Sequence, residues 1–70
     1  MSYLAICIEM GIKKGLDVSY LIREDWDAGQ IAQIWWGLER ALDVSLYAKK
    51  EIDWREMKEI RERLLREKRR

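Results

Sequence analysis

Gly15-Leu16-Asp17-Val18-Ser19 is followed 26 residues later by Ala41-Leu42-Asp43-Val44-Ser45, with four consecutive identities in one register. The same offset carries Ile8 onto Ile34, Gly11 onto Gly37, Ile12 onto Leu38 and Asp27 onto Asp53. A third, partial copy continues it, with Ile31, Ile34 and Leu38 falling on Met57, Ile60 and Leu64. These apolar positions are spaced i, i+3 and i+7, which places them on one face of an α-helix. A fixed period joined to helical spacing reads as a helical repeat. The expected units are residues 1–26 and 27–52, followed by a capping half-unit over 53–70. Each unit carries an apolar stripe that it can bury only against its neighbours, so the expected fold is all-α and solenoid-like.

Helix boundaries follow from the residues flanking each stripe. Asp27 stands before Ala28-Gly29-Gln30, and Asp53 before Trp54-Arg55-Glu56. Both fit a capping box, in which an N-cap Asp and a Gln or Glu at the third helical position satisfy free amide groups reciprocally. Trp26 and Ile52 precede those caps and lie five positions ahead of Ile31 and Met57, the spacing of a hydrophobic staple. The long helices are expected over residues 3–14, 28–40 and 54–68. Gly15 suits a helix stop because glycine adopts the left-handed conformation without a steric cost, and Ala41 suits it less well. Asp17 and Asp43 then cap short helical turns over Val18–Ile22 and Val44–Lys49. In the third copy Gly37 gives way to Arg63, and pairs such as Glu59–Arg63 and Glu62–Arg66 point to a solvated outer face.

The bulk composition agrees. Seventy residues make at most one domain, and the absence of proline with 39% charged residues favours long helices. Net charge is +1, yet residues 61–70 carry +4, so the body is slightly acidic and one tip is basic. No apolar run is long enough to span a membrane and the N-terminal residues lack a secretory signal pattern, so no membrane partner is expected. The single Cys7 rules out an intrachain disulfide framework and fits a buried packing thiol in a cytoplasmic protein.

The string Gly37-Leu38, Leu42-Asp43-Val44-Ser45-Leu46-Tyr47-Ala48, Asp53-Trp54, Met57 and Ile60-Arg61 resembles short helical tandem repeats of uncharacterised bacterial proteins, often encoded on mobile elements. The likeness covers residues 37–61 well and 11–34 loosely. In the first copy Leu21-Ile22 replaces Tyr47-Ala48, and Ala28 stands where Trp54 does. The resemblance implies a helical-repeat fold and no particular activity.

Little in the sequence supports catalysis. There is no histidine, which removes the commonest general base and metal ligand together. One cysteine makes no zinc site, and no phosphate-binding glycine loop follows a strand. Ser19 and Ser45 lack a base and read as turn residues that satisfy local backbone groups. No enzyme activity, cofactor or metal is therefore expected.

Positions shared by the copies serve the fold, and positions that differ are free for a partner. The sharpest difference is Trp35-Trp36, which stands opposite Glu9-Met10 and Arg61-Glu62. Adjacent residues point about 100° apart on a helix, so both indoles should not enter one stripe. Either the central helix packs on two sides, or at least one tryptophan meets a partner. Tyr3, Leu4, Ala5, Ile6, Cys7, Ile8, Met10 and Ile12 make the first helix apolar nearly all round, which suggests a homodimer through it or, in competition, packing against further units of a longer repeat array. The expected function is a non-enzymatic protein-interaction module, such as a mobile-element accessory or inhibitor protein. Its binding residues would be Trp35, Trp36, Tyr3, Leu4 and Ile8. The alternative is a nucleic-acid-associated protein that holds phosphate, or an acidic partner, through Arg61, Arg63, Arg66, Lys68, Arg69 and Arg70. A basic run at a helix C-terminus also serves simply as a solvated end favoured by the helix dipole.

Overall fold

Asp27 accepts a hydrogen bond from the Gln30 amide at 2.7 Å, and the Gln30 side chain accepts one from the Asp27 amide at 3.1 Å. This capping box opens the central helix of a computed structural model, which describes residues 2–69. The order is α1 (Tyr3–Lys14), α2 (Ser19–Ile22), α3 (Ala28–Glu39), a 3-10 turn (Val44–Leu46) and α4 (Trp54–Lys68). The described residues are all helical or irregular, with no strand.

The three long helices have the expected bounds, apart from Arg40, which caps α3 instead of extending it. Both short turns are shorter than the sequence suggests. The first begins at Ser19, and the second stops at Leu46 because Tyr47 leaves the helical region at φ −135° to enter the core. Asp17 and Asp43 act alike: each carboxylate accepts from the amide of the serine two residues on, at 3.1 and 3.2 Å, and from its hydroxyl. One expected device is absent. Asp53 caps α4 through the Arg55 amide at 3.3 Å, without the reciprocal bond from Glu56, so the second capping box is not formed. Glu56 remains exposed at the helix surface.

The ends of α1 and α3 are built identically. Leu16 donates to the Gly11 carbonyl at 2.8 Å and Gly15 to that of Ile12 at 3.1 Å. Twenty-six residues later, Leu42 donates to Gly37 at 2.9 Å and Ala41 to Leu38 at 3.1 Å. Both are Schellman stops, which need a left-handed residue. Gly15 takes φ 72° without penalty, and Ala41 is forced to φ 56°.

Every other element packs against α3, and α4 does so most extensively. The resulting slab measures 37 × 26 × 15 Å. Its core joins Cys7 from α1, Leu21 from α2, Ile31, Ile34, Trp35 and Leu38 from α3, Val44 and Tyr47 from the 3-10 segment, and Met57 from α4. Trp26 completes it and donates its indole N–H to the Tyr20 carbonyl at 2.9 Å. Trp26 and Ile31 are both buried here, and Ile52 packs against the cluster that includes Met57. Buried Gln30 also ties α3 to the segment before α4: its amide nitrogen donates to the carbonyls of Lys50 and Ile52 at 3.0 and 2.8 Å. Gly29 admits the Trp54 ring so closely that a Cβ there would lie 2.7 Å from it.

Candidate functional site

Because α3 is covered on two sides, its adjacent tryptophans have opposite fates. Trp35 turns toward α1 and is 7% exposed, packed beneath Gly11. The Lys14 ammonium lies 5.7 Å from its ring centre and pairs with Glu39 at 2.8 Å. Trp36 points about 100° away, toward the α4 side, and remains 46% exposed. Trp35, placed by the sequence with Trp36 on a partner surface, is therefore a core residue with no face free for a partner.

Trp36 is braced by α4. The Arg61 guanidinium lies 5.4 Å from its ring centre, within cation–π range. Arg61 is itself fixed by its Nε, which donates to Oε1 of buried Gln33 at 2.8 Å. One turn along α3, Arg40 offers its carbonyl to Nζ of Lys68 at 2.5 Å. Between these contacts lies a shallow open cleft of about 440 Å³ lined by Trp36, Glu39, Arg40, Arg61 and Leu65. Its one carboxylate, Glu39, pairs with Lys14 at 2.8 Å, so the cleft sets the two guanidinium groups of Arg40 and Arg61 beside the apolar side chains of Trp36 and Leu65.

Of the basic residues proposed from the sequence, Arg61, Arg63, Arg66 and Lys68 do not form one surface. Arg61 and Lys68 reach toward α3. Arg63 and Arg66 lie on the far side of α4 among Glu56, Glu59 and Glu62. The expected Glu59–Arg63 and Glu62–Arg66 pairs do not close, since the ion pairs of the described residues are Glu9–Lys13, Lys14–Glu39 and Asp53–Arg55. Arg69 caps α4 and is exposed, while Arg70 lies outside the described residues.

The first helix is less uniform than its composition suggests. Cys7 and Gly11 are buried, and Leu4 and Ile8 pack against the core, so these last two offer only half-buried surface to a partner. Tyr3, Ile6 and Met10 follow one another at i, i+3 and i+7 along an exposed flank, and Ile12 is exposed at 64%. Burial raises the Cys7 thiol pKa above its ordinary value; the neighbouring Tyr3 hydroxyl opposes this and the Glu39 charge adds to it. A thiol held neutral in this way is a poor nucleophile, in keeping with a packing role.

Sequence reading missed the contributions of Glu39, Arg40 and Leu65. Arg40 follows Trp36 by four residues and so shares its face, a signal that was available. The meeting of Arg61 with Gln33 spans 28 residues and had no local signal. Among the described residues no three His, Cys, Asp or Glu side chains group to hold a metal. No helix among them is long and apolar enough to cross a membrane. No protein-family model, curated protein or solved structure matches the chain.

Proposed function

We propose that this chain is a non-enzymatic protein-interaction module that binds through the α3–α4 cleft, with Trp36 at its centre. The carrying observation is the half-exposed indole of Trp36, held in place by Arg61 while its neighbour Trp35 is buried. Tryptophan and arginine are the residues most enriched in interface hot spots, and a fixed pair loses little side-chain freedom on binding. The scaffold is read as a small solenoid-like repeat stack, supported by the recurrence of one helix stop and one Asp–Ser turn at 26 residues. The likeness of residues 37–61 to repeats of mobile-element proteins favours an accessory or inhibitor role, and the lone buried Cys7 favours a reducing cytoplasm.

Affinity capture from cells, with wild type beside Trp36→Ala, tests this reading. A protein retained by wild type and lost by the variant is expected. Identical capture profiles would overturn it.

Two other readings have their own observations. The exposed Tyr3, Ile6 and Met10 flank favours a two-fold dimer through α1. Light scattering would detect the dimer, and Ile6→Lys should dissociate it; a monomer at high concentration removes it. Phosphate binding by the basic end is disfavoured by the glutamates set among Arg63 and Arg66. If it occurs, affinity for nucleic acid must fall steeply with salt.

A further inference from the structure

We propose that the partner segment seated in the α3–α4 cleft is an acidic peptide with a large apolar side chain, an inference that rests on the interaction reading above. Charge complementarity carries it. Arg40 and Arg61 line the cleft, and Lys68 reaches its edge at the Arg40 carbonyl. The acid among the lining residues, Glu39, is held by Lys14 at 2.8 Å, and among the described residues no carboxylate pairs with Arg40, Arg61 or Lys68. The Nε of Arg61 is committed to Gln33, and this fixes the plane of its guanidinium. Its two terminal nitrogens are thereby presented as a preoriented fork suited to a carboxylate. Trp36 and Leu65 supply the apolar surface beside it.

A nucleic acid fits this surface less well. It would need cations in a continuous track, whereas Arg63 and Arg66 lie on the other side of α4 among three glutamates. One exposed indole also makes a short stacking platform. A peptide that covers one tryptophan and two or three cations matches the size of the cleft.

Selection of a random dodecapeptide library on the full chain, with counter-selection on Trp36→Ala, is the test. Enriched peptides are expected to combine several Asp or Glu residues with Leu, Ile, Phe or Trp. The best of them, measured by fluorescence anisotropy, should lose about tenfold in affinity with Arg40→Glu. Arg63→Glu, on the far face, should leave its affinity unchanged. Circular dichroism of both variants verifies that the helices are retained. An unenriched library, enrichment without acidic bias, or equal losses for the two variants would overturn the proposal. So would an oligothymidine or a phosphatidylserine vesicle that binds more tightly than the best peptide. Trp36-dependent capture of a partner together with neutral selected peptides would leave the interaction module standing and remove the acidic ligand.

Discussion

A Cβ added to Gly37 would lie 2.6 Å from Cγ1 of Val44, and Gly11 stands in the same close relation to Val18. In both places the helix backbone touches the turn that follows it, and a glycine is the only residue that leaves room. At Gly37 the hydroxyl of Tyr47 occupies the same space and donates to the Gln33 carbonyl.

Gly37→Ala should therefore destabilise the fold although alanine is the better helix former. The propensity gain is about 1 kcal/mol, while forcing apart a packed contact costs about 1–3 kcal/mol and here also disturbs a buried hydrogen bond. We expect a net loss of about 2 kcal/mol by urea denaturation. Gly11→Ala should cost less, because Val18 is only half-buried and has more room to move. A neutral Gly37→Ala would contradict the packing described.

Ala41→Gly should stabilise the protein. Ala41 is exposed and held at φ 56°, in a region that costs a non-glycine residue about 1–2 kcal/mol. Part of that gain is offset by the larger entropy of glycine in the unfolded chain, leaving about 0.5–1 kcal/mol. For a domain of this size the melting temperature should rise by about 3–6 °C. Gly15→Ala should do the opposite at the equivalent stop.

Tyr47 makes stability fall at alkaline pH. Burial pushes its phenol well above the usual tyrosine range, with Arg61 opposing the shift. Above pH ~10 the unfolded chain loses this proton while the folded chain keeps it, so stability drops by about 1.4 kcal/mol per pH unit until the folded group ionises. The contribution is fully present below pH ~10. Tyr47→Phe should cost about 1 kcal/mol at neutral pH and show a shallower alkaline decline than wild type. Equal slopes in denaturant titrations at pH 9–11 would rule this out.

The two tryptophans should separate stability from binding. Trp35→Ala removes a buried ring and should cost about 3–5 kcal/mol. Trp36→Ala removes a half-exposed one and should cost under about 1 kcal/mol. Comparable melting temperatures for the two variants would contradict the assignment of one to the core and the other to the cleft.

The tertiary structure also accounts for the limits of the sequence reading at particular residues. Asp27 and Asp53 were both legible as helix caps, yet only Asp27 completes its box. Gln30 is buried and held by the carbonyls of Lys50 and Ile52, which orients its side chain over its own N-terminus. Glu56 is exposed, and no such partners fix it. At the site, Trp36 and Arg61 were recognisable separately as candidates for different partners. Their shared cleft was not, because 25 residues separate them along the chain.

The sequence by itself determined the helices, their stops and the turn chemistry, as the recurrence of Leu-Asp-Val-Ser made visible. Those features depend on residues within a turn or two of one another, where spacing alone dictates which groups meet. Only the tertiary structure decided which tryptophan faces solvent, which bases line a common cleft and which side of α4 stays mixed in charge. A residue's exposure depends on which element covers its face, and here α1 covers Trp35 while α4 leaves Trp36 half open. Helical spacing separates the two indoles by about 100° but carries no information about the neighbour that lies beyond each.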